Sequence, residues 1–463
     1  MVPPRKMEGM LVAVVLALSL TEWVPARWAS GEPKTLELLA ETPINCLLLE
    51  QGAWSAEFAA QAAGRGVVTL GVIRPSAEPL QAARRAIQTK LDGVVLEGEF
   101  DRALVESIRE TLAAARPVIV ELPPRRLLRL DGNAPILGTY QGVWPGIRVE
   151  PGGAARARPT GGPWIETNSG FLRFVSTLTD APVWIANLPP KATVLPVDRY
   201  LHAISDAALS GARWVVALDD DFNRRLLAGD AAALRDWRRI GGHLRYFEEH
   251  KQWRALKPYS RLALVQDPDV RAMLSGGILD MIGGKNIPVR PISRPKLDGE
   301  SLKGAKMAVT VEPASLTEAQ KEVLKNVARA GGALLNGPPG WKLPFPKDSE
   351  ITLEKDQLDK VNDVWQGINS VIGRSNVGAR LFNVSGMLSS LLACADGSRV
   401  VLHLVNYTNY PVESITVHLL GKYKRARLYS PERPVRELEL YPIDEGVGVD
   451  IDRVSVCATL VLE

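Results

Sequence analysis

The sequence predicts an α/β protein: a (β/α)8 TIM-type barrel, then a small doubly wound α/β domain, then a C-terminal antiparallel β-sandwich. Three observations carry this. Short continuous apolar runs alternate with amphipathic helical patterns over residues 40–255, the same alternation recurs on a smaller scale over 257–345, and after residue 380 short alternating strands punctuated by turn residues take over.

In the first region the strand candidates are Ile44 to Leu49, Val67 to Ile73, Gly93 to Leu96, Val118 to Val120, Ile136 to Thr139, Trp164 to Glu166, Val183 to Ala186 and Trp214 to Leu218. Continuous apolar runs suit parallel strands buried on both faces. Between them, Leu80 to Lys90 and Asp101 to Ala115 are polar on one side and rich in Ala, Leu and Ile on the other. Eight candidates favour a barrel over an open sheet. Residues 145–163, rich in Gly, Pro and Arg, read as a long loop.

In the second region Arg261 to Gln266, Ile287 to Ile292, Met307 to Val311 and Ala333 to Asn336 read as strands, and Arg271 to Ile282 and Leu316 to Ala330 as helices. The second helix opens on a capping box, Ser315-Leu316-Thr317-Glu318, and closes at Gly331-Gly332. Residues 346–379 read as linker and helix, with Pro-rich residues 338–347 leading in and a charged helix over Leu353 to Ile368. In the sandwich, 380–463, the expected strands are Val400 to Asn406, Ser414 to Leu420, Ala426 to Tyr429, Glu437 to Tyr441 and Ser455 to Leu462.

At 463 residues, 46% hydrophobic and 23% charged, the chain has material for a large core and two or three domains. The net charge of +4 comes from 56 basic and 52 acidic residues spread along the chain, which gives a nucleic-acid partner no support. Arg5 and Lys6, the apolar run Met10 to Leu20 and the small-residue site Val24-Pro25-Ala26 predict a signal peptide within residues 1–30, cleaved after Ala26 or nearby, and hence a secreted or periplasmic protein. The run is shorter than the roughly 20 apolar residues of a membrane span, so no stable span is expected after processing. An uncleaved anchor is the alternative. Cys46, Cys394 and Cys457 are too few and too scattered for a disulfide framework or a zinc site, so no metal is expected. Gly276-Gly277 and Gly283-Gly284 lack the spacing of a nucleotide loop, and no cofactor is expected.

Candidate chemistry lies where strands end. Barrel active sites collect at the C-terminal ends of strands, where this sequence places Glu50, Glu97 with Glu99, Glu121, Glu166 and the run Asp219-Asp220-Asp221. Glu166 sits between Trp164, an aromatic stacking face, and Asn168 and Ser169, hydrogen-bonding groups. A carboxyl against an indole can be desolvated as a general acid requires, while its structural alternative is to cap a loop. Glu97 is followed by Gly98, whose missing side chain lets a ligand approach. Asp220 reads as acid, base or hydroxyl clamp, with Asp219 beside it as a binding group, and the alternative for this run is to cap the next helix. Tyr140, Gln141 and Trp144 read as a sugar platform or as loop anchors, and Asn187 closes the seventh candidate strand. Glu166 is the expected general acid, with Glu97 or Asp220 its partner in hydrolysing a glycosidic bond. The rival reading is a carbohydrate-binding or scaffold protein without turnover. The five histidines include no His-Glu-x-x-His pair, and no Gly-x-Ser-x-Gly elbow occurs.

The order of barrel, small α/β domain and β-sandwich resembles the multi-domain beta-galactosidase group, whose glycosidase barrel is followed by an amidotransferase-like trimerisation domain and a short β domain. Pro163 to Gly170 and Gly211 to Asp220 also resemble glycosidase-like proteins of environmental bacteria. The resemblance implies a carbohydrate-handling barrel over 40–255 and an amidotransferase-like, flavodoxin-type domain over 257–345, through which a homo-oligomer would form. That domain contains no Cys or His between 259 and 343, so amidotransferase chemistry is not expected of it. Those enzymes place an acid/base glutamate after an asparagine on the fourth strand and a nucleophile glutamate on the seventh. Counted from Ile44, this sequence offers Glu121 after Val120 and Asn187, and the standard pair is missing.

Overall fold

The computed structural model describes residues 20–75, 78–115, 117–128, 134–156, 162–266, 286–310, 313–336, 370–394 and 397–463, with a few more between 359 and 368. The leader candidate before Leu20, the helix expected over Arg271 to Ile282, the Pro-rich linker and most of Leu353 to Ile368 fall outside the described residues. The chain divides into two compact units. One comprises Met1–Gly142, Asp180–Leu195 and Ala212–Arg245, the other Val143–Thr179, Pro196–Gly211 and Tyr246–Glu463.

The first ten strands are β1 (Pro25–Trp28), β2 (Cys46–Leu49), β3 (Val68–Ile73), β4 (Gly93–Glu97), β5 (Val118–Leu122), β6 (Leu137–Thr139), β7 (Gly146–Ile147), β8 (Ile165–Glu166), β9 (Val183–Ile185) and β10 (Arg213–Trp214). In the first unit, eight of them form one parallel sheet ordered β1-β2-β3-β4-β5-β6-β9-β10. Ala26 bridges to Val216, just beyond β10, with Arg27 N–H donating to Val216 O at 2.7 Å, which brings the two edges of the sheet together into a nearly closed barrel.

The barrel thus has eight strands, but not the eight expected. Trp164 to Glu166 is not one of them: β8 pairs antiparallel with β7 in a two-stranded sheet of the second unit. Its place is taken by β1, which begins near residue 25 rather than 40. The same observation bears on a cut after Ala26. Ala26 is buried and its strand pairs with Cys46–Leu49 on one side and Val216 on the other, so a cut there would remove half a barrel strand. Its Pro-Ala-Arg composition hides a strand whose arginine is held inside the fold.

Alternation fills the barrel. Leu48, Leu70, Val72, Val95, Val120, Leu122 and Trp184 share one core cluster with Trp23, two residues apart along their strands as a period of two requires. Trp23 and Trp184 meet with ring centroids 6.4 Å apart. Side chains of this kind contribute roughly 1.5–3 kcal/mol each when fully buried. The helices that follow β2 and β4 are capped by Ser55, accepting from Phe58 N–H, and Asp101, accepting from Leu104 N–H.

In the second unit, β11 (Lys257–Pro258) precedes β12 (Leu262–Gln266), β13 (Arg290–Ser293), β14 (Met307–Thr310) and β15 (Ala333–Asn336), of which the last four make a parallel sheet ordered β13-β12-β14-β15. This is the order of a doubly wound sheet. Helix Glu318–Arg329 joins β14 to β15, and its capping box is Thr317 with Gln320, two residues after the expected one. The C-terminal region adds β16 (Ala379–Phe382), β17 (Met387–Ala393), β18 (Val400–Asn406), β19 (Val412–Leu420), β20 (Ala426–Ser430), β21 (Arg433–Leu438), β22 (Tyr441–Ile443), β23 (Gly446–Val454) and β24 (Cys457–Leu462). Antiparallel sheets β11-β17-β18-β24-β20-β21 and β16-β19-β23-β22 enclose a core of Leu402, Leu404, Ile415, Val417, Val449, Ile451 and Leu460. The strand expected over Glu437 to Tyr441 instead spans the turn from β21 to β22. Cys46, Cys394 and Cys457 are all free thiols. Among the described residues no helix is long and apolar enough to cross a membrane.

Candidate functional site

The alternation that fills the barrel also decides what reaches its mouth. Leu48, Val72 and Val95 point into the core, so Glu97, the last residue of β4, and Glu50 and Arg74, one residue past β2 and β3, continue the same row at the C-terminal ends of the strands. Arg27 joins them from β1. The four form one ion-pair network. Glu97 is buried; Arg27 Nη2 donates to its Oε2, and Arg74 donates to Oε1 from Nε at 3.0 Å and Nη2 at 2.8 Å. The other edge of the Arg74 guanidinium grips Glu50, with Nη1 to Oε2 at 2.6 Å and Nη2 to Oε1 at 2.7 Å, and Arg27 Nη1 reaches Glu50 Oε1 at 3.3 Å.

Burial by itself pushes the Glu50 carboxyl up, but the hydrogen bonds and charge of Arg74, with the charge of Arg27, outweigh it and hold the group below its ordinary value. Arg74 is pushed up in turn, chiefly by its hydrogen bond to Glu50. Gly98 adopts φ +128, and a Cβ there would lie 2.7 Å from Pro75 Cδ, so the missing side chain admits the proline that follows Arg74. This contact is a packing reason for the glycine in place of the expected ligand approach.

Counting from β1 changes which acid ends which strand. β4 is the fourth barrel strand, and Glu97 is its last residue. Glu121 belongs to β5, faces the opposite way from the inward Val120 and Leu122, and pairs with Arg109 of helix Arg102–Leu112 at 2.6 Å. Glu121 is therefore not a mouth residue. Glu97 follows Leu96 rather than an asparagine. β9 is the seventh barrel strand; Asn187, just beyond it, carries an amide whose Nδ2 donates to Gly142 O at 2.6 Å.

Other expected residues are occupied structurally. Asp219 is buried and caps helix Asp220–Leu227, accepting from Phe222 N–H at 2.9 Å and from Leu195 N–H at 3.1 Å, which corrects its assignment as a binding group. Asp220 is exposed at the first position of that helix. Gln141 Oε1 accepts from Arg125 N–H at 3.0 Å, and Tyr140 packs half-buried against the barrel core. Glu99 pairs with Arg126.

The remaining candidates lie in the second unit. Glu166 Oε1 is 3.6 Å from Arg148 Nη1, and Arg199, whose guanidinium donates to Trp144 O at 3.2 Å, adds a second cation. Trp164 instead has the Arg156 guanidinium over its ring, 5.3 Å from the centroid. The expected indole-lined carboxyl is thus a carboxyl among arginines. Trp144 is buried edge-on against Tyr200 at 5.5 Å, so it offers no platform. Asn168 has no exposed surface: its Oδ1 accepts from Val143 N–H at 2.8 Å, and its Nδ2 donates to Val143 O and Asp206 Oδ2, both at 2.9 Å. Direct sugar contact by Asn168 or Trp144 is corrected on these grounds.

Asp206 organises this corner and went unnoticed in the sequence. Wholly buried, it accepts from the Thr167 hydroxyl, Asn168 N–H and the Tyr407 hydroxyl at 2.6 Å, and burial pushes its carboxyl up. The one sequence signal was an acid within an otherwise apolar helical face. Arg27 and Arg74 were missed for a different reason: pairing across strands leaves no local spacing to read. Among the described residues no group of three or more His, Cys, Asp or Glu stands close enough to hold a metal.

No protein-family profile matches the sequence, and no curated protein matches it. Solved structures share the fold. An alpha-L-fucosidase, isoenzyme 2 from Paenibacillus thiaminolyticus, aligns at a TM-score of 0.64 with 10% identity, over 96% of this chain and 99% of its own. A cold-adapted beta-galactosidase from Rahnella sp. R3 aligns at 0.54 with 9% identity, over 95% and 98%. The fold is that of glycoside hydrolases with a barrel and additional β domains.

Proposed function

We propose that this chain is an exported glycoside hydrolase-like protein that cleaves a glycosidic bond with paired carboxyl groups at the barrel mouth. The observation that carries the reading is Glu97, a buried carboxylate at the C-terminal end of the fourth barrel strand whose two oxygens are aimed and held by Arg27 and Arg74. Arginine N–H donors on both oxygens favour the ionised carboxylate and fix its direction, which fits the nucleophile of the pair. The proton donor must come from a carboxyl not so held, and Asp220, exposed at the first position of its helix in the same unit, fills that role. Two such groups stand about 5–5.5 Å apart for retention and about 6.5–9.5 Å apart for inversion. The neighbours in fold are named as a fucosidase and a galactosidase, so fucosides and galactosides are the first substrates to offer. The basic residues before Met10 to Leu20 support export, with processing upstream of Pro25.

The test is a panel of aryl glycosides, with plant and microbial polysaccharides, against the full chain and its Glu166→Gln and Asp220→Asn variants. Turnover that falls sharply in Asp220→Asn assigns the proton donor. Activity unchanged in both removes both residues from the chemistry.

One observation favours a second reading. The seventh barrel strand ends near an amide, Asn187, already bonded to the backbone, as suits a barrel that binds carbohydrate without cleaving it. Saturable glycan binding with no turnover on any member of the panel would establish that reading instead.

A further inference from the structure

The Arg74 guanidinium is used on two edges with different prospects. Its inner edge holds Glu97, whose side chain is 6% exposed, while its outer edge holds Glu50, whose side chain is 45% exposed beside an arginine itself 37% exposed. Pro75, packed on Gly98, fixes the backbone from which Arg74 projects. The outer edge is therefore a planar two-donor fork at the barrel mouth, presently filled by a carboxylate that remains accessible to water. The pair is bidentate and its carboxylate half exposed, so an incoming anion displaces Glu50 only by matching both donors of the fork. Arg27, on β1, also reaches Glu50, at 3.3 Å.

We propose that the Arg74 fork is the specificity determinant of the mouth and that it takes an anionic sugar, a uronate or a sulfated residue, in the place the Glu50 carboxylate now occupies. Planar forks of this kind match carboxylate and sulfate oxygens in a bidentate manner. This rests on the reading of the mouth as a carbohydrate site, but it concerns binding and not turnover. Glu97 stays paired with Arg27 and the inner edge of Arg74 throughout, and Glu50 swings into solvent.

The test is calorimetric titration of the full chain with trigalacturonate against its methyl ester, and a sulfated galactose trisaccharide against its desulfated form. The expected result is at least about tenfold tighter binding of one charged member than of its neutral counterpart, weakened by salt. Preference within the first pair assigns a uronate and within the second a sulfate. Glu50→Gln, which empties the fork without removing it, should strengthen the charged ligand several-fold, and Arg74→Gln should erase the preference. Should Arg74→Gln fail to fold, the Glu50→Gln direction still decides. Equal binding of charged and neutral members, no binding of either pair, or a charge preference that Glu50→Gln weakens would overturn the proposal. Charge-selective binding without turnover would remove the hydrolase reading alone, and turnover of neutral glycosides without charge preference would remove this one alone.

Discussion

Arg27, on the first barrel strand, donates to Glu97, the last residue of the fourth, across the interior of the barrel mouth. Both side chains are largely withdrawn from water. Removing Arg27 takes one charge-assisted donor from Glu97 and leaves it with Arg74 alone. Arg27→Met should therefore lower stability by about 2 kcal/mol, the worth of a hydrogen bond to a charged group, while R27M combined with E97L should recover much of that loss. Chemical denaturation of the three proteins measures both effects; an R27M protein as stable as the parent would mean that the pair is not held as described.

The pairing of Ala26 with Val216 makes the N-terminal boundary testable. A chain starting at Ser19 should fold and keep its cooperative melt. One starting at Arg27 loses Pro25 and Ala26 from the strand, exposes the edges of β2 and the segment after β10, and should aggregate or lose its near-UV circular dichroism. Equal behaviour of the two would count against β1 as a barrel strand.

Asp219 and Asp206 separate structural acids from chemical ones. Asp219→Ala removes a helix cap and should cost about 1–2 kcal/mol, with glycan binding unchanged. Asp206→Ala leaves Asn168 N–H and the Tyr407 hydroxyl without their acceptor and should cost about 3 kcal/mol, against about 1 kcal/mol for Tyr407→Phe. Thermal melts of the variants beside binding isotherms distinguish these outcomes.

Stability should fall in mild acid because of two histidines in the second unit. Burial pushes both His202 and His403 down to about 4, helped at His202 by the charge of Arg199 and at His403 by that of His250. A depressed imidazole is neutral in the folded protein, so the unfolded chain binds more protons once the pH falls below about 6.5. Stability present above that pH is lost on descending towards 4, by about 3 kcal/mol per histidine. Asp206 acts in the opposite sense, since its buried carboxyl is pushed up. His202→Phe, which keeps an aromatic beside the Tyr407 ring, should flatten the decline between pH 6.5 and 4 relative to the parent in thermal melts. An unaltered slope would refute the assignment.

The parts of the fold legible in the sequence are those whose burial is uniform. Cys46–Leu49 and Gly93–Glu97 are buried at every position and read as parallel strands, and Val400–Asn406 was bounded correctly in the sandwich. Pro25–Trp28 is not legible as a strand, because a proline, an alanine and an arginine do not look like a buried run. Trp164 to Glu166 has strand composition, yet only Ile165–Glu166 pairs, and with a two-residue partner. β23, whose Gly, Val and Asp residues mix core and solvent positions, is not among the strands expected from the sequence. Around the site, Glu50 and Glu97 were legible as strand-end acids. Their partners were not, because Arg27 and Arg74 meet them only once the strands lie side by side.

The most direct measurement is kcat for aryl fucosides and galactosides with Glu97→Gln, an isosteric change that keeps acceptor oxygen but removes the carboxylate. With Asp219→Ala as the folded control, Glu97→Gln should lose at least about a hundredfold in kcat while still binding glycan. A Glu97→Gln protein that turns over the same substrate at the parent rate would contradict a catalytic role for Glu97.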